Sequence, residues 1–257
     1  MDQSNTRNHS HQIYQRYAGI YDQSGQRSFS LRMVSYLESL FQRHGIGGRS
    51  LLDVACGTGT LACAMAAKGW EVIGVDASAA MLAQARAKAD ERGLAVRWEQ
   101  QDMRTLQLDR RVAVTTCFYD SLNYMLTSDD LVKAFRAAHQ SLEPGGWYLF
   151  DMNTAYCFAS QWDGDAYVHE SSDLTVLISG AYDEWRQRVH ATVTWFERQG
   201  DLWAKGSEDH IEQAYPPEQI ATHLQDVGFS IEGWYDCFTF REPDDESVRI
   251  VWAARRR

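Results

Sequence analysis

The stretch "LLDVACGTGTLACAMA", residues 51–66, decides the reading of this chain. A short apolar run reaches Asp53. Two glycines, Gly57 and Gly59, follow with one residue between them, and then an apolar stretch of good helix formers. A buried strand, a tight turn and a helix start account for that order, because glycine supplies the backbone conformations that such a turn needs. Turns of this kind bring backbone close to a ligand at the start of a helix.

Outward from this turn, strand and helix patterns alternate. "EVIGVD" reads as a second strand, and "SAAMLAQARAKADERG" as a helix capped by Ser78 and ended by Gly93. "AVRWEQ" and "VAVTTCFY" are the third and fourth strands. "SDDLVKAFRAAHQSLEPGG" is a helix with Ser128 as its cap, and "WYLFDMN" is the fifth strand. Strands separated by helices imply a parallel sheet covered on both faces. From about 154 to 215 the pattern changes to short alternating runs, "LTVLISGAYD", "RVHATVTWFE" and "LWAKGSEDHIEQAY", an antiparallel meander. A helix led by proline, "PPEQIATHLQDVGF", and two strands, "IEGWYDCFTF" and "VRIVWAAR", return to the main sheet.

The expected fold is therefore α/β: a Rossmann-like, mostly parallel seven-stranded sheet with helices on both faces, plus a small antiparallel β insertion. Three units are expected: a helical cap over 1–47, a core over 48–153 and 216–257, and the insertion over 154–215.

Composition narrows the function. The chain has 257 residues, 44% apolar, with a net charge of -10, which disfavours a nucleic-acid face built from clustered Lys and Arg. Five cysteines, Cys56, Cys63, Cys117, Cys157 and Cys237, have no metal-finger spacing, so no metal is expected and reduced thiols in a cytoplasmic protein are the plain reading. The start "MDQSNTRNHSHQIYQRY" has no apolar signal region, and no run is long enough for a membrane span.

Two ligands fit the glycine turn. Gly57 to Ala62 formally satisfies the dinucleotide fingerprint, with Asp76 near the distance expected for a ribose. Against a dinucleotide, Asp53 stands just before the turn and would repel a pyrophosphate. Asp102, after the third strand, is also not generally needed by a dehydrogenase. S-adenosylmethionine (SAM) has an ammonium, two ribose hydroxyls, an adenine amino donor and no phosphate.

"LLDVACGTG", "VIGVDASAAML", "QQDMRTL" and "LEPGGWYLFD" together resemble the ordered motifs of class I SAM-dependent methyltransferases over roughly residues 48–152. The resemblance implies that Asp53, Ala55, Cys56, Gly57 and Gly59 hold the methionine part of SAM and that Asp76 and Ala77 hold the ribose. Met81, Gln101, Asp102 and Met103 would border the adenine, Cys117 would follow strand four, and Tyr17 and Tyr21 would lie on a segment that closes over SAM. S-adenosylhomocysteine is the implied product. Ala55 replaces a glycine common in the family.

More narrowly, "DSLNY" (120–124) and His210, Glu212, Ala214 and Tyr215 resemble a group of bacterial small-molecule methyltransferases with an antiparallel insertion after strand five. Asp120, Asn123, Tyr124, His210 and Tyr215 are the implied acceptor-side residues, with His210 and Asp120 as candidate bases. The expected partner is a small-molecule acceptor, with no nucleic acid and no membrane, in a monomer or homodimer. Two other readings share the cofactor turn: a SAM-using enzyme that performs non-methyl transfer or cyclisation, and a non-catalytic SAM-binding protein.

Overall fold

The computed structural model describes residues 13–164 and 166–257. Its main sheet contains seven strands: β1 (Ser50–Val54), β2 (Glu71–Asp76), β3 (Val96–Gln100), β4 (Val112–Cys117), β5 (Leu142–Asn153), β10 (Phe229–Asp236) and β11 (Arg249–Arg256). Their order is β10-β11-β5-β4-β1-β2-β3. The first five strands pair in parallel, while β11 runs antiparallel to both its neighbours. Chain order reverses between β1 and β4, which opens a crevice at their carboxyl ends.

Adjacent strand residues face opposite sides of a sheet, and β1 shows what this does. Leu51 and Leu52 are both fully buried but belong to different cores. Leu52 packs beneath α4 (Ser128–Ser141) and α5 (Pro217–Val227), with Phe135, Leu224 and Trp252. Leu51 packs beneath α1 (Arg27–His44) and α2 (Thr60–Ala67), with Met33, Leu37 and Leu61. A fifth helix, α3 (Ala79–Glu91), joins β2 to β3. Ser78 caps it as expected, accepting from the Met81 amide.

A second sheet holds β6 (Ala166–Glu170), β7 (Leu174–Asp183), β8 (Arg188–Gln199) and β9 (Leu202–Gln213), all antiparallel in chain order. The short β6 left no alternation in the sequence because its residues are almost all exposed. Against this sheet packs the segment before α1. Two single 3₁₀ turns, Tyr17–Gly19 and Tyr21–Gln23, place Tyr17 and Ile20 on Leu174, Val176, Val193 and Trp195. Residues 1–12 of the expected helical cap lie outside the described residues.

Two local readings need correction. Thr127, not Ser128, caps α4: its backbone is extended and its hydroxyl accepts from the Asp130 amide, whereas Ser128 is already in the helix. The fifth strand starts at Leu142 rather than Trp147, so Pro144-Gly145-Gly146 lies within it.

Gly206 on β9 stands opposite Trp195 on β8, and a Cβ there would lie 2.1 Å from the indole. Absence of a side chain is what lets the Trp195 indole lie over Gly206, with the Tyr17 ring centroid 5.5 Å away at a tilt of 41°. Gly206→Ala is expected to cost about 1–3 kcal/mol, read as a lower urea midpoint. The same substitution in a Trp195→Ala background should cost much less; equal costs in both would show that the indole is not the obstacle.

Candidate functional site

The crevice above β1 and β4 holds a cavity with an empty volume of about 990 Å³. Its floor is the turn after β1. Ala55, Gly57 and Gly59 all have positive φ, at 53°, 54° and 72°. Ala55 takes this conformation despite its methyl group, at a cost of about 1–2 kcal/mol. A carboxylate from the next strand helps fix the turn: Asp76 Oδ2 accepts from the Gly57 amide at 2.8 Å, and its Oδ1 accepts from the Ser78 amide at 2.8 Å.

Most cofactor-side candidates line this cavity: Tyr21, Ala55, Cys56, Gly57, Asp76, Ala77, Met81, Gln101, Asp102 and Met103. Four others do not. Asp53 lies buried behind the turn, where its Oδ1 accepts from Thr116 Oγ1 at 2.8 Å. Gly59 caps α2, with the Trp98 ring against its Cα. Cys117 is fully buried in the core, and burial pushes its thiol well up. Tyr17 faces the second cavity, and its hydroxyl donates to Ser24 Oγ at 2.6 Å. Asp102 is held by the Arg104 guanidinium, which also reaches Asp130 at 3.1 Å.

No Lys or Arg is among the described residues lining this cavity. Carboxylates and methionines without a cation suit a ligand with hydroxyls, an ammonium and an aromatic base better than one with a pyrophosphate. Burial pushes Asp53 up to about 7, with Thr116 opposing and Asp76 adding to the rise. Burial also raises Asp76.

A second cavity, of about 1630 Å³, lies between the main sheet and the inserted one. Tyr14, Tyr21, Tyr119 and Tyr124 line both cavities and form the boundary between them. The Tyr14 and Tyr124 hydroxyls share a hydrogen bond of 2.8 Å, and Tyr124 Oη meets His210 Nδ1 at 3.0 Å. Glu208 lies 3.9 Å from His210 Nε2, and its carboxylate accepts from the amides of Tyr14, Arg16 and Tyr17. Glu208 was not singled out in the sequence. It alternates with His210 and Glu212 on one face of β9, the period-two signal that could have found it.

Asp120 lines the second cavity too. It and Tyr119 are consecutive non-glycine residues at positive φ, 54° and 65°. Such strain persists only where the surroundings enforce it. Here the Asp120 amide donates to Asp151 Oδ1 at 2.9 Å, and Asp120 Oδ2 accepts from Asn153 Nδ2 at 2.9 Å. Arg249 pairs with Asp151 at 3.1 Å and with Asp120 at 3.5 Å.

Two acceptor-side candidates line neither cavity. Asn123 stitches backbone together, donating to the Asn153 and Gln213 carbonyls and accepting from the Asn153 amide. Tyr215 packs in the core and donates to the Met125 carbonyl.

Residues 51–146 match the family model described as a methyltransferase domain. A candidate methyltransferase of Bacillus subtilis, YqeM, is 27% identical over 245 residues, covering 95% of this chain and 97% of that protein. The crystal structure of a SAM-dependent methyltransferase from Clostridium acetobutylicum is 27% identical, with a TM-score of 0.84 over 95% of this chain and 98% of that one. The sugar N-methyltransferase KedS8 from Streptoalloteichus is 25% identical, with a TM-score of 0.71 over 87% of each chain. Residues 51–146 thus carry a methyltransferase domain, and the chain is an enzyme similar along nearly its whole length to SAM-dependent methyltransferases.

Among the described residues no helix is long and apolar enough to cross a membrane, and no group of three or more His, Cys, Asp or Glu could hold a metal.

Asp53 makes the free protein pH-sensitive. Its folded pKa of about 7 exceeds the ordinary value of 3.8, so ionising it opposes folding. That contribution is favourable below pH 4 and is lost progressively as pH rises to about 7. Asp53→Asn should therefore gain stability relative to the parent between pH 4 and 7, with a constant difference above. Urea unfolding at pH 5 and pH 8 checks this; equal differences would contradict it.

Proposed function

We propose that the chain transfers a methyl group from SAM to a nitrogen or oxygen of a small molecule by direct displacement, releasing S-adenosylhomocysteine. The observation that carries this reading is the shared tyrosine wall. One cavity with the lining of a SAM site meets a second, roomy cavity at Tyr14, Tyr21, Tyr119 and Tyr124.

The residues divide the work as follows. Asp76 accepts from the ribose hydroxyls while fixing the turn. Met81, Gln101, Asp102 and Met103 surround the adenine. The backbone from Ala55 to Gly57 borders the methionine part, with Asp53 behind it as counter-charge to the ammonium. SAM supplies an electrophilic methyl on a sulfonium. Orientation and exclusion of water account for much of the acceleration of such a displacement. Tyr14 and Tyr124 face the junction, where electron-rich rings and hydroxyls favour a cation. His210 orients Tyr124, and Glu208 holds the Tyr14 segment closed. Asp120, tied to Asn153 and Arg249, shapes the acceptor cavity. The sugar N-methyltransferase likeness supports a small-molecule acceptor. Five free cysteines support a cytoplasmic setting.

Calorimetric titration with S-adenosylhomocysteine, with NAD as the parallel, tests this reading. The expected result is micromolar binding of the former alone, weakened about tenfold or more by Asp76→Ala, the loss of a charged hydrogen-bonding group. The ligand's ammonium, set near Asp53, lowers its pKa, so affinity should rise with pH up to about 7 and then level. Binding of NAD alone would overturn the assignment.

A further inference from the structure

We propose that the acceptor is an amine and that Glu212, in the second cavity, is the group that holds the proton the amine brings. This rests on the methyl-transfer reading above and narrows it from nitrogen or oxygen to nitrogen.

Glu212 projects from β9 beside His210, into the wall of the second cavity. It is 2% exposed, and its Oε2 has no hydrogen-bond partner among the described residues. A buried oxygen in that state is a net cost that a ligand's donor would remove. The other acid of the cavity is already engaged: Asp120 accepts from Asn153 at 2.9 Å and faces Arg249, itself paired with Asp151. The second guanidinium of the lining, Arg32, lies over the Phe238 ring at 4.0 Å. Asn153 and Tyr124 face the Glu212 carboxyl, and its Oε2 is the acid oxygen of this cavity that still lacks a donor. An ammonium brings three, and the aromatic lining of Tyr14, Tyr21, Phe29, Tyr119, Tyr124 and Trp162 favours a cation further. A hydroxyl would bring one donor and no charge.

Burial, reinforced by Asp120 and opposed by Arg249 and by the Asn153 and Tyr124 side chains, pushes the Glu212 carboxyl well above its ordinary range. Burial moves an ammonium the other way. When an ammonium enters, the carboxyl's own proton leaves to solvent and the carboxylate pairs with the ammonium. Transfer of one N–H proton to Oε2 within that pair then frees the nitrogen lone pair. That lone pair forms the new bond to the methyl carbon, and the electrons of the carbon–sulfur bond pass to sulfur. The product leaves as an N-methylated ammonium, and Glu212 is left protonated as it began. An amine delivered without this exchange would stay protonated and inert.

The test is calorimetry on the full chain loaded with S-adenosylhomocysteine. Cyclohexylamine and cyclohexanol, a size-matched pair, are titrated in two buffers of different ionisation enthalpy. The amine should bind about tenfold or more tighter than the alcohol, as one added charged hydrogen bond allows. Its binding should release close to one proton. In Glu212→Gln the amine preference and the proton release should both disappear, while affinity for S-adenosylhomocysteine, which occupies the other cavity, changes little and reports an intact fold. Equal binding of amine and alcohol by the parent chain, or an amine preference that survives Glu212→Gln, overturns the assignment while leaving the methyl-transfer reading in place. A parent chain that does not bind S-adenosylhomocysteine overturns both.

Discussion

One carboxylate, Glu208, holds the segment on which both cavities depend. It accepts from the amides of Tyr14, Arg16 and Tyr17, more than 190 residues away in sequence. Three hydrogen bonds to a charged acceptor, each worth about 1.5–3 kcal/mol, tie the start of the chain to the inserted sheet. Tyr14 is thereby set against Tyr124, and the tyrosine boundary follows. From the other side, Lys88 on α3 pairs with Asp22 at 2.6 Å, and Asp22 accepts from Thr58 at 2.7 Å. The segment thus bridges the glycine turn and the insertion, and a ligand in the first cavity would lie beneath it.

The deeper wall of the second cavity follows a different constraint. Asp120 and Asp151 are buried and Arg249 is partly so, and together they fix the loop after β4 in its left-handed conformation. Buried ion pairs add little stability over an apolar core, but removing one member strands the other charges. Their contribution here is to geometry: Tyr119 and Asp120 face the cavity because the backbone between β4 and the following turn cannot relax. Strand β5 ends in the same network through Asp151 and Asn153, so the main sheet and the acceptor cavity share one polar support.

How much of this was legible in the sequence depended on range. The strand–turn–helix from Leu51 to Met65, the Asp76 that braces it and the Ser78 cap are local, and each carries its own residue signature. Hence the order of strands and most of the first cavity could be read directly. The meander of β7 to β9 was visible through alternation, whereas the exposed β6 left no such trace. Long-range partnerships were hidden. Nothing near Glu208 marks it as the anchor of Tyr14, and nothing near Asn123 shows that its amide is consumed by the backbone of β5 and β9. Tyr17 and Tyr215 were aromatic residues in suggestive places, but Tyr17 turned to the inserted sheet and Tyr215 to the core. A strand-face glutamate at 212, by contrast, has an unpartnered oxygen that no neighbouring residue in the sequence signals.

The central claim is that the methyl donor and its acceptor occupy two cavities meeting at the tyrosine wall. A crystal structure of the S-adenosylhomocysteine complex measures this most directly. The account predicts ribose hydroxyls on Asp76, adenine between Met81 and Met103, and the sulfur facing the junction of Tyr14 and Tyr124. A sulfur turned away from that junction, or a ligand seated in the second cavity instead, would contradict it.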